Sequence, residues 1–186
     1  MNSDKTFFLE QMKEIIQTKY EVFIEHGILS FVMPEIGISQ SEIFGNLLFF
    51  NEDCGIPNKS TGMLQIFITV GKYNRANKKA LSERIVELNS QIVIGHFSLV
   101  EEPEHICYRY TVPVMDLNDR LYLELASLSL DKMIAILNGV FNYLLIIADD
   151  VNEITFENYI EEMKNLEEVM KDPEAVNEIL SNMSDE

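Results

Sequence analysis

The side chains able to do chemistry are few and scattered in this sequence. The histidines are His26, His96 and His105 and the cysteines Cys54 and Cys107. No two of the histidines stand at helical i, i+4 spacing and no CxxC pair is present, so the ligand geometry of a zinc site has no sequence counterpart. Asp150, Asn152 and Glu161 occupy positions one, three and twelve of a calcium loop, but Ile154 and Thr155 fall where an oxygen ligand and a glycine are required. There is no GxSxG elbow, no Walker or Rossmann glycine loop, and no cysteine set beside basic residues. Acids abound, yet paired catalytic carboxylates must share a pocket, and most of these lie on solvated helical faces. The residues therefore predict a domain that is not an enzyme and holds no cofactor or metal.

Charge narrows the partners. Fourteen basic against 31 acidic residues give a formal charge of -17, which repels nucleic acid and anionic membranes. Residues 151–186 hold eleven of the acids against Lys164 and Lys171. Such a tail is a solvated helical face, or an attractor for a basic segment. The 47% hydrophobic content supports a real core. Apolar runs broken well short of about 20 residues argue against membrane insertion. The start, Met1-Asn2-Ser3-Asp4-Lys5, carries no basic-then-apolar leader. A cytoplasmic address with both cysteines free is the expectation.

The elements that would position these residues follow from periodicity. Ser3 caps a first amphipathic helix to about Thr18, bearing Phe8, Met12, Ile15 and Ile16 on one face. His26-Gly27 separates two β-rich runs, 21–24 and 28–33, as a hairpin turn, with Pro34 and Gly37 closing the unit. Further strands are expected at 44–50 and 63–70, joined by a loop over 51–62, before a helix over 72–90. Residues 91–114 read as a second hairpin around Glu101-Glu102-Pro103-Glu104. In that hairpin Leu99 faces Ile106, Phe97 faces Tyr108 and Val93 faces Val112. One of its faces is apolar; the other carries His96, Ser98, Cys107, Arg109 and Thr111.

Residues 116–127 stay open between strand and helix, because Leu121, Leu123 and Leu125 alternate while Asn118 offers a cap. From Ser129 a helix repeats Met133, Leu137, Val140, Leu144 and Ile147 at steps of four and three, beside a seam that includes Phe141. Only a narrow stripe of it, through Asp131, Ala135, Asn138 and Asn142, is wettable. A helix apolar around most of its circumference needs cover on more than one side. Met133, Leu137, Val140, Phe141, Leu144 and Ile147 are accordingly the expected partner-binding or dimer surface, with His96, Ser98 and Arg109 as the exposed sheet face. Thr155 caps a further helix, and a last short one follows Asp172-Pro173.

The run Ile85-Val86-Glu87-Leu88-Asn89-Ser90-Gln91-Ile92-Val93-Ile94-Gly95-His96-Phe97-Ser98-Leu99, then Tyr108-Arg109-Tyr110-Thr111-Val112-Pro113-Val114, then an apolar helix, resembles the YbjN family. Those proteins are catalogued as bacterial sensory transduction regulators sharing the fold of type III secretion chaperones. The resemblance covers about Ala80 to Ala148. It implies an α+β domain ordered α-β-β-β-α-β-β-α, with a curved antiparallel sheet, helices packed on one face and frequent dimerisation. To this the residues add an extra strand in the first half and an acidic helical extension, dividing the chain at 1–150 and 151–186. It implies no catalytic residue. The functions it leaves are a chaperone-like or regulatory protein binder, a regulatory homodimer, or a true type III secretion chaperone.

Overall fold

A computed structural model of the chain describes residues 3–38, 40–51 and 62–171. The chain divides into two compact units, Met1–Val151 and Asn152–Glu186. The first unit is α+β: α1 (Ser3–Ile16), β1 (Glu21–Glu25), β2 (Ile28–Ile36), β3 (Ser41–Asn51), β4 (Gly62–Lys72), α2 (Lys78–Gln91), β5 (His96–Val100), β6 (His105–Val114) and α3 (Arg120–Asp149). All strands join one antiparallel sheet in the order β1-β2-β3-β4-β6-β5. Four strands precede α2, not the three that the resemblance implied, so the extra strand read from the residues is real.

Local chemistry sets these elements. His26 and Gly27 have φ of 51° and 75°, the two left-handed residues of a type I′ turn, and Glu25 pairs with Ile28 around them. Pro34 does not end its strand; β2 continues to Ile36 across a register shift at Glu35, whose φ is 59°. The second hairpin has the expected register, with Phe97 opposite Tyr108 and their rings stacked at 4.2 Å. It is shorter than expected. Val93 does not pair with Val112, because Gly95, at φ 71°, turns the chain before β5 begins. The helix expected from residue 72 also starts later, since Lys72 belongs to β4 and a 3-10 turn, Arg75–Asn77, precedes α2. The loop 52–61 and the helix after Pro173 lie outside the described residues.

The segment left open at 116–127 is helical. Asp119, not Asn118, caps α3, its carboxylate accepting from the Leu121 N–H at 2.9 Å. At 30 residues α3 is, among the described residues, the one helix long and apolar enough to cross a bilayer by length and composition. Its apolar run is nonetheless broken by Asp131, Lys132, Asn138 and Asn142. Half of its most apolar window is buried inside the protein, as in a core helix.

That burial is against the sheet. Leu29, Phe31, Met33, Leu47, Leu64, Ile66, Ile68 and Tyr108 on one sheet face are completely or almost completely buried, as are Phe8 and Met12 of α1, Leu81 and Leu88 of α2 and Met133 and Leu137 of α3. Each such side chain contributes about 1.5–3 kcal/mol through apolar burial. Packing is close enough that a Cβ at Gly45 would collide with the Phe31 ring. In the second unit α4 (Phe156–Met170) begins at the expected cap, where Thr155 Oγ1 accepts from the Asn158 N–H at 3.2 Å.

Candidate functional site

The face of the sheet opposite the helices is built from the alternate residues of every strand. Cross-strand registers line them up in transverse rows. One row runs Phe23, Ser30, Asn46, Phe67, Arg109, His96 across all six strands. The next runs Val32, Phe44, Thr69, Cys107, Ser98, and a third Ile28, Leu48, Gln65, Thr111. Its β1–β4 part mixes polar side chains with large apolar ones that are only partly covered: Phe23, Phe44 and Phe50 are 44%, 55% and 49% exposed. A face turned away from the core does not require phenylalanine, since polar residues serve an exposed strand face.

Polar groups gather at the β6–β5 end. His96, Ser98 and Arg109 come together as expected: His96 pairs with Arg109, and Ser98 with Cys107 two residues along. The Arg109 guanidinium carbon lies 5.0 Å from the centroid of the Phe67 ring, a cation–π contact that anchors it over the apolar part. Ser98 Oγ, His105 Nδ1 and Arg109 Nε are buried without a hydrogen-bond partner among the described residues. Buried polar groups are normally satisfied, so these three are exceptions gathered at one end of the sheet. Ser30 donates to Asn46 Oδ1 at 2.7 Å, a polar bridge between Phe23 and Phe67.

Cys107 on this face is not set up as a nucleophile. Cys107 is free but only 1% exposed, and burial pushes its thiol pKa up although Arg109 and Thr69 oppose this. A thiol held protonated and covered is a poor nucleophile. Among the described residues no group of three or more His, Cys, Asp or Glu could hold a metal. Cys54 lies outside the described residues.

Strand edges differ from the face. The Asn89 side chain, at the end of α2, accepts from the Phe97 N–H at 2.7 Å and donates to the Phe97 carbonyl at 2.9 Å. Both backbone groups of Phe97 are thus used on β5, and an added strand cannot bond there. Glu21 and Glu25, exposed on β1, charge the other edge. The role of Asn89 was not foreseen; the only sequence signal was a polar residue closing a helix eight positions before a strand.

The expected helix surface is overturned. Met133, Leu137, Val140, Phe141, Leu144 and Ile147 are all buried within this chain and form the core beneath α3. The spacing identified a covered side correctly, but the cover is the protein's own sheet. The wettable stripe beside it is engaged too: Asp131 pairs with Lys19 at 2.9 Å, and Asn138 accepts from the Gly37 N–H at 2.8 Å. No protein-family model matches this chain, and no curated protein matches it.

Proposed function

We propose that this chain is a non-enzymatic protein-binding domain that holds an extended segment of a protein partner on its open sheet face. The observation that carries this is the set of exposed phenylalanines on that face: Phe23, Phe44 and Phe50 stand 44%, 55% and 49% exposed on β1 and β3, and Phe67, in the Phe23 row, carries the Arg109 guanidinium. Several large apolar side chains left exposed on one face mark interaction sites. Apolar side chains of the partner would sit on Phe23, Phe44 and Phe50, with an oxygen acceptor toward Arg109. The plugged β5 edge and charged β1 edge favour the face over strand addition. A YbjN-like role in the cytoplasm, chaperone-like or regulatory, is the finer form of this reading.

The test is affinity capture from the native host's lysate with the full chain and with a Phe23→Glu, Phe44→Glu variant of unchanged melting temperature. Stoichiometric retention of one protein by the parent, lost in the variant, supports the reading. Equal retention by both, or none by either, overturns it.

A further inference from the structure

Three of the chain's four arginines are ion-paired with glutamates: Arg75 with Glu104, Arg84 with Glu87 and Arg120 with Glu124. The fourth, Arg109 on the open sheet face, has no carboxylate within ion-pair distance among the described residues, although the chain holds 31 acids against 14 bases. It is half-buried, with its guanidinium over the Phe67 ring, so water and salt screen it less than they would a fully exposed cation.

The whole end of the face shares this character. On β4, β6 and β5 the registers place Lys72 beside His105 and Arg109 beside His96, and no Asp or Glu shares the face with them on those strands. Glu101 and Glu104, at the hairpin tip, are engaged by Lys78 and Arg75. The acids of the open face stand at its other end, Glu21 and Glu25 on β1 and Glu42 on β3. The face is therefore polarised along its rows, cationic at β6 and anionic at β1.

We propose that the segment held on this face carries one carboxylate, an Asp or Glu side chain, seated on Arg109, with its apolar residues lying beyond it toward β1. This rests on the reading of the open face as a protein-binding site and adds the chemistry and direction of what it binds. A guanidinium presents a planar fork that a carboxylate matches with two parallel hydrogen bonds. A segment laid the other way would bring its acid against Glu21 and Glu25. A strongly acidic segment is disfavoured by the charge of -17, so a lone carboxylate among apolar residues fits best. Phe23 and Arg109 stand in one row, four strand spacings apart, or about 19 Å at about 4.8 Å per strand. An extended segment covers that distance in about six residues at about 3.3 Å each, an even number that turns both side chains toward the sheet.

Panning a displayed library of random peptides, about twelve residues long so that they span this distance, against the full chain tests the proposal. The selected peptides are then titrated as synthetic fluorescent probes. They are expected to share an Asp or Glu about six residues from a large apolar side chain. Replacing that acid by its amide in the peptide, or Arg109→Gln in the chain at unchanged melting temperature, should each weaken binding about tenfold, and both together no more than either alone. The exchange in the peptide leaves the protein unaltered, so the test does not depend on how well the variant folds. Peptides that are lost with Phe23→Glu, Phe44→Glu but share no acid, or that are indifferent to loss of their acid, would overturn this proposal and leave the binding face standing. Peptides indifferent to the phenylalanine variant, or no selected peptide at all, would overturn both.

Discussion

The two faces of the sheet are made by the same strands from neighbouring residues, yet they behave oppositely. Along β4 every even-numbered residue from Gly62 to Val70 is buried and every odd one is partly exposed. On the helix-covered face, apolar residues are required because α1, α2 and α3 must be held; on the other, Phe23, Phe44 and Phe50 hold nothing in the core. Apolar character is therefore a structural necessity on one side and surplus to stability on the other. That surplus is what the binding reading uses.

Substitutions on the two sides make the contrast measurable. The largest effect is expected at Leu137, fully buried under α3. Leu137→Ala should lower unfolding free energy by about 2–5 kcal/mol in urea titration. Next comes Asn89→Ala, which strips both bonds from the Phe97 backbone and should cost about 1–3 kcal/mol, with faster amide exchange at Phe97. Phe44→Thr, on the open face, should change stability by less than about 1 kcal/mol. A loss there as large as that at Leu137 would mean that the open face is structural, and the contrast would fail. The smallest effect belongs to Lys19.

The bond to Asp131, then its charge, raises the Lys19 pKa above 10.5. A raised folded-state pKa gives a stabilisation present below the unfolded value and lost as pH climbs through the folded one. Lys19→Ala should thus matter little at neutral pH, about 0–1 kcal/mol for so exposed a pair. Any difference from the parent should vanish at strongly alkaline pH, as paired denaturation curves would show.

Legibility varied with how local the governing physics was. The His26-Gly27 turn and the Phe97–Tyr108 register follow from turn chemistry and period-two alternation within a few residues. The region around Leu121, Leu123 and Leu125 was ambiguous because a helix with apolar side chains on two sides can imitate alternation: Leu123 is buried, while Leu121 and Leu125, one turn apart, stand on the opposite, exposed side. Splitting those leucines between core and surface requires knowing where the sheet lies.

The same limit applies to the candidate sites. His96, Ser98 and Arg109 were legible as one strand face because side-chain alternation is fixed by the chain itself. That Arg109 lies over Phe67 depends on β6 inserting beside β4, a long-range pairing with no local signature. The sequence by itself determined most of the helices and strands and, in the second hairpin and the helix from Ser129, which side would be covered, since spacing and turn residues act over a few positions. Only the tertiary structure decided what does the covering. It turned the seam from Met133 to Ile147 into core, left Leu121, Leu125 and Leu128 exposed, and kept the phenylalanine rows open, because burial belongs to the packing of distant elements and not to any one of them.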